Sequence, residues 1–257
     1  MNAAFRIVQR NALVYRRVWQ GSLFFNFLQP SLFLVSMGLG LGALVERGGA
    51  TFPGGGSFLA FLAPGLLAST CMQTATFESS FPIMGKMTWK RNYEAICATP
   101  VSIPAIVLGE ILWIGIRLLM VATAFALVLV LFGVVRGLMV ILAVGAAVLT
   151  GLAFSAAVIA YAATIKNGST NFNTVFRFVI TPLFLFSGVF FPITQMPSWL
   201  QRVAPFTPLY HGVELVRGLV LHTIDAPTAA VHAAYLTVML CVGTAAACWT
   251  FTRKLAK

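Results

Sequence analysis

The chain has 257 residues, 59% of them hydrophobic and only 9% charged, and its mean hydropathy is +0.92. A soluble domain carries about 25% charged residues, so this composition excludes a water-exposed globular enzyme and reads as a polytopic membrane protein. Net charge is +11, yet the basic residues punctuate apolar runs instead of forming one patch, which argues against nucleic-acid binding and for topology signals.

Residues 3–19 place Phe5, Val8, Ala12, Tyr15 and Trp19 on one helical stripe, with Arg6, Arg10 and Arg17 largely opposite. That pattern predicts a helix lying flat in the membrane interface. Arg16 and Arg17 either bind lipid phosphate there or simply anchor the chain. The first twenty residues hold four arginines and only short apolar pieces, which is not the pattern of a cleavable signal.

Six apolar runs follow, at about residues 21–45, 58–84, 105–132, 139–165, 170–191 and 228–251. Each is read as a membrane-spanning helix within one transmembrane domain, residues 1–257. Asn26, Gln29 and Pro30 interrupt the first, and Gly38, Gly40 and Gly42 suit close helix packing. The second ends with Gln73, Thr74, Thr76 and Glu78. In the third, Glu110 and Arg117 share a face but lie about 10.5 Å apart along the axis. They are too distant to pair, so each needs another partner.

Between the second and third runs, residues 85–104 read GKMTWKRNYEAICATPVSIP and hold Lys86, Lys90, Arg91 and Glu94. Thr88 is expected to cap a short amphipathic helix over 89–98, which Pro100 and Pro104 stop. Such a helix between spans is a place for a partner protein to push. Residues 192–227 contain repeated prolines and two short amphipathic pieces, 197–203 and 209–221. Neither can span, so short external re-entrant helices before the last span are expected.

With the N-terminus inside, the cytoplasmic basic residues are Arg6, Arg10, Arg16, Arg17, Lys86, Lys90, Arg91, Lys166, Arg177, Arg253, Lys254 and Lys257, twelve of the 17 in the chain. Arg47, Arg136, Arg202 and Arg217 fall outside and Arg117 within a span. Six spans with both termini cytoplasmic obey the positive-inside rule.

The chemistry is sparse. No GxxxxGK[ST] is present, so the chain carries no P-loop nucleotide site. His211, His222 and His232 lack metal-ligand spacing, and the four cysteines show no CxxC. Ser187, between Phe186 and Gly188, lacks the GxSxG context of a nucleophile. The six acidic residues are not strung along the spans as a proton relay needs.

Several stretches together resemble the membrane subunit of type-2 ABC exporters. Glu94-Ala-Ile-Cys-Ala-Thr99-Pro100-Val101-Ser102 is similar to that family's coupling segment. Gly188-Val189-Phe190-Phe191-Pro192, Met196-Pro197-Ser198-Trp199-Leu200, Pro205-Phe206-Thr207-Pro208-Leu209-Tyr210 and Glu214-Leu215-Val216-Arg217 are similar to its external region. Phe61-Leu62-Ala63-Pro64-Gly65-Leu66-Leu67-Ala68 and Phe77-Glu78-Ser79-Ser80 look most like the NodJ-type branch, associated with lipo-chitooligosaccharide export. Here Lys90-Arg91-Asn92-Tyr93 stands where many members have Gly-Thr before the glutamate.

The resemblance implies an all-α, six-span permease that is not itself an enzyme and binds no cofactor. ATP and Mg would sit on two partner ATP-binding subunits, with a second permease copy or a relative completing the assembly in the bacterial inner membrane. It implies ATPase-coupling roles for Lys86, Trp89, Lys90, Arg91, Glu94, Thr99 and Pro100. Phe190, Phe191, Trp199, Phe206 and Tyr210 would line a substrate path or exit gate, or else form an interfacial aromatic belt. The expected cargo is an amphipathic glycolipid, lipooligosaccharide or polysaccharide-lipid. Hydrophobic drug export by the same architecture is the alternative, and an ATP-independent transporter or channel a further one.

Overall fold

A computed structural model describes residues 3–17, 19–42, 57–135, 137–165 and 170–255. Arg47 lies outside these, as do Arg136, Lys166 and Lys257 and the side chains of Asn26, Gln29 and Pro30. The described chain is all helical, with no strand among the described residues.

Helix α1 (Ala3–Tyr15) is followed by α2 (Trp19–Val35), whose last turn widens into a π-helical stretch, Ser36–Leu41. Helix α3 (Phe58–Ser79) starts where Ser57 caps it by accepting from the Ala60 amide at 3.3 Å. It continues past a kink at Ser80 into α4 (Phe81–Met84) and a π turn, Gly85–Trp89. Then come α5 (Asn92–Cys97), α6 (Ile103–Leu131) and α7 (Met139–Thr164). A broken segment follows, α8 (Thr170–Val175), a π turn and α9 (Thr181–Phe186). The short α10 (Ser198–Val203), α11 (Pro208–Leu221) and the long α12 (Ala226–Leu255) complete the chain.

Among the described residues four helical runs are long and apolar enough to cross a membrane: Phe58–Trp89, Ile103–Leu131, Met139–Thr164 and Ala226–Leu255. The run expected at 170–191 is shorter, an apolar helix Asn171–Phe186 that ends where Gly188 adopts φ +80°. The interfacial helix expected over 3–19 stops at Tyr15. The two short pieces expected at 197–203 and 209–221 correspond closely to α10 and α11.

Helix α7 is the hub, packing against α12, α3, α11 and α6. Its small residues allow this. A Cβ on Gly151 would stand 2.9 Å from the Cys71 carbonyl oxygen of α3, so these backbones meet at a distance only glycine permits. Helix α1 docks on α6 in the same way: a Cβ on Gly109 would lie 2.8 Å from Ile7 Cβ. All four cysteines are free thiols.

Candidate functional site

The loop expected at 85–104 is more helical and more firmly held than its sequence suggests. Thr88 does not cap a helix. Its hydroxyl donates to the Met84 carbonyl at 2.8 Å, within a turn that prolongs the second apolar run to Trp89. The break comes instead at Arg91, whose φ of 46° is left-handed. For a residue with a Cβ this costs about 1–2 kcal/mol, and it turns the chain sharply into α5.

Buried bonds beneath α5 hold it in place. The Glu110 carboxylate, 1% exposed, receives the Lys86 ammonium at 2.7 and 2.8 Å, the Asn11 amide at 3.0 Å and the Tyr93 hydroxyl at 3.0 Å. One carboxylate therefore ties α1, the turn after α4, α5 and α6 together. Burial first, and the adjacent Glu110 carboxylate second, push the Tyr93 phenol well above its ordinary pKa, keeping it a hydrogen-bond donor. The Tyr93 ring also packs on Phe251 of α12 at 5.5 Å.

Of the residues expected on the coupling surface, Trp89, Lys90, Arg91, Glu94, Thr99 and Pro100 are exposed. Lys86 points inward to Glu110 with 19% of its side chain exposed. Arg91 and Glu94 approach each other to 4.0 Å with most of both side chains in the open, a pairing worth less than about 1 kcal/mol. Both remain available to an outside partner.

Arg117 finds the separate partner its spacing required, Glu78 at 2.9 Å, and its guanidinium lies 4.1 Å from the Tyr15 ring centroid. This pair sits at one end of an open cleft of about 600 Å³, where Thr70, Gln73 and Thr74 of α3 face Phe33, Phe125, Phe176 and Phe184. A lining that mixes hydroxyl and amide groups with aromatic side chains suits sugar rings joined to an apolar tail.

The five aromatic residues expected to line a substrate path or exit gate, or else an interfacial belt, fall on different surfaces. Phe190 packs on Phe184 at 4.9 Å and Phe33 at 6.3 Å. With Phe191 it lines an apolar groove of about 630 Å³. Trp199 and Phe206 stand exposed, while Tyr210 lines a separate polar cavity of about 370 Å³. Sequence reasoning missed two features that bind this region to the bundle. Arg217, expected on the outer side of the membrane from its position before the last span, is 5% exposed and donates to the carbonyls of Phe61 (3.2 Å), Gly188 (2.7 Å) and Val189 (3.3 Å) while pairing with Glu214 at 3.0 Å. His211 and His232 face each other at 2.8 Å through their Nδ1 atoms. The Pro205 carbonyl accepts from His211 Nε2 at 2.8 Å, so in a neutral His211 ring Nδ1 accepts from His232. No cluster of three or more His, Cys, Asp or Glu side chains forms among the described residues. Arg16 and Arg17 are exposed at the end of α1.

Comparison with known proteins adds a second kind of observation. Residues 2–221 match the family described as ABC-2 type transporter. The chain is 34% identical to Nodulation protein J of Bradyrhizobium diazoefficiens, over 96% of this chain and 92% of that one. It is 32% identical to Nodulation protein J of Rhizobium leguminosarum bv. trifolii, over 83% and 79% of the respective chains. It is 26% identical to the inner membrane transport permease YadH of Escherichia coli, over 83% and 80%. No solved structure gives a significant match.

Proposed function

Because this chain belongs to the ABC-2 type transporter family, we propose that it is the membrane-spanning permease of an ATP-driven exporter of an amphipathic glycolipid or lipooligosaccharide. It inserts in a bacterial inner membrane with six spans, both termini in the cytoplasm, and α10 and α11 as external re-entrant helices. Two copies, or this chain and a related permease, combine with two ATP-binding subunits. ATP and Mg belong to those subunits and supply the energy of the stroke.

One observation carries this reading. Helix α5 is exposed on its outer side through Arg91 and Glu94, yet Tyr93 and the Lys86–Glu110 pair root it in α1 and α6. A push on that surface reaches α1 and the long helix α6 through short, buried, charge-assisted bonds. Trp89, Lys90, Arg91, Glu94, Thr99 and Pro100 form the contact surface, and Lys86 is its anchor. The cleft that joins Gln73 and Thr74 to a ring of phenylalanines favours a sugar-bearing lipid as cargo. The relatives named Nodulation protein J support the same class. Phe190 and Phe191 lie on the exit side.

A second reading, export of a hydrophobic drug-like molecule, is favoured by the predominantly apolar character of the groove at Phe190, Phe191 and Met37. Proteoliposomes holding the permease and its ATP-binding subunits separate the two. Labelled lipooligosaccharide is expected to be exported, and to stop when the partner's Walker lysine is replaced. Export of an apolar dye in preference to the glycolipid favours the second reading, and transport that survives loss of the Walker lysine overturns ATP coupling altogether.

A further inference from the structure

A cavity of about 430 Å³ lies between α1, the end of the Phe58–Trp89 run and α6, bordering the coupling surface at Lys90 and the cargo cleft at Glu78 and Arg117. Its wall carries four cations, Arg10, Lys86, Lys90 and Arg117, and one carboxylate, Glu78. Two of the cations are neutralised, Lys86 by Glu110 and Arg117 by Glu78. Arg10 and Lys90 enter none of the ion pairs among the described residues. The cavity therefore holds two positive charges that its own groups do not balance.

Two polar atoms sharpen this. Arg10 Nη1 and the Tyr15 hydroxyl are buried and have no hydrogen-bond partner among the described residues. A buried donor left unmade costs about 1–3 kcal/mol, more for a charged group. A guanidinium can only donate, so the missing ligand must accept hydrogen bonds. Water could accept them, but water does not offset the surplus charge. An oxyanion does both.

The surroundings say where that oxyanion comes from. On α1, Leu13 and Val14 are exposed by 62% and 64%, and Val14 itself reaches the cavity wall. The far wall includes Trp113, whose ring meets Tyr15 at 5.8 Å. A cationic interior beside exposed apolar residues of an amphipathic helix suits a molecule with a charged head and acyl chains. Arg16 and Arg17 are exposed and do not line the cavity.

We propose that this cavity binds the phosphodiester headgroup of an anionic bilayer phospholipid, Arg10 and Tyr15 donating to the phosphate and Lys90 closing over it. The bound lipid fastens α1 against α6 and the second run. It is a resident component, distinct from the cargo, so the site does not depend on which molecule is exported.

The test is native mass spectrometry of the full-length permease, made in a host without the cargo's biosynthetic enzymes and released from nanodiscs of mixed phosphatidylglycerol and phosphatidylcholine. One phosphatidylglycerol per chain is expected to be retained, with phosphatidylcholine retained far less. Arg10→Gln with Lys90→Gln is expected to weaken retention by on the order of tenfold or more, as for loss of a charge-assisted hydrogen bond. Tyr15→Phe should give a smaller loss, and Arg16→Gln with Arg17→Gln none. If the double variant does not fold, Arg10→Lys, which keeps the charge but not the planar fork, reads the same contact. Equal retention of the two lipids, or wild-type retention by the Arg10 and Lys90 variants, overturns the site. Displacement of the lipid by millimolar inorganic phosphate overturns a lipid-borne source, and absence of lipid from the cargo-free host overturns a resident one.

Discussion

The Lys86 ammonium lies 2.7 Å from the Glu110 carboxylate, which is buried to 1% exposure and receives two further hydrogen bonds, from Asn11 and Tyr93. A buried pair of this kind adds little net stability over an apolar replacement, but removing one partner strands the other's charge at a cost of about 3–5 kcal/mol. Lys86→Met is therefore expected to destabilise the protein by that order and loosen α1. Lys86→Met combined with Glu110→Leu should recover much of the loss. Thermal unfolding of the two single variants and the double variant measures the coupling, and additive losses would show that the pair does not act as a unit.

Arg217 is expected to tolerate no substitute. Its guanidinium reaches three carbonyls on two segments and one carboxylate, lying 3.9 Å from the Phe61 ring centroid. An ammonium has no planar fork to match these directions. Arg217→Lys should leave carbonyls of the 188–189 turn unmade and cost about 2–4 kcal/mol. Faster proteolysis within residues 187–207 checks this.

Helix α1 owes its close seat to Gly109. Adding a methyl group there meets Ile7 Cβ at 2.8 Å and the Ala4 carbonyl oxygen at 2.9 Å. Gly109→Val is expected to lift α1 at a cost of about 1–3 kcal/mol. A cysteine placed at buried Val8 should then react with a water-soluble maleimide that barely labels it beside Gly109.

The cleft makes a prediction about cargo. Gln73→Leu with Thr74→Val removes polar groups facing the phenylalanine wall while keeping side-chain volume. Glycolipid export should fall on the order of tenfold for each lost hydrogen bond in that site, with basal ATP hydrolysis unchanged. An equal fall for an apolar dye would mean that the cleft does not read sugar.

Much of the α5 region was legible because local rules govern it. Proline and charge marked the interruption, and the seven-residue spacing of Glu110 and Arg117 required separate partners, found in Lys86 and Glu78. The node itself was not legible, since Asn11 and Glu110 are 99 residues apart and no periodicity links them. Lys86 was expected to contact a partner ATPase, whereas the π turn carries it inward to Glu110. Thr88 was read as a cap because threonine before a helix usually is one, but here the preceding helix has not yet ended. The burial of Arg217 was not legible either, because the carbonyls that make it tolerable come from residues 28, 29 and 156 positions away.

The central claim is that Arg91 and Glu94 receive the ATPase stroke. Reversing both charges together, Arg91→Glu with Glu94→Arg, preserves their weak mutual pairing but inverts the surface offered to a partner. Export by the reconstituted permease and ATP-binding subunits measures the outcome directly. The variant is expected to insert and unfold at the wild-type temperature yet lose export by an order of magnitude or more, equivalent to at least about 1.4 kcal/mol of coupling. Wild-type export from that variant would contradict the account.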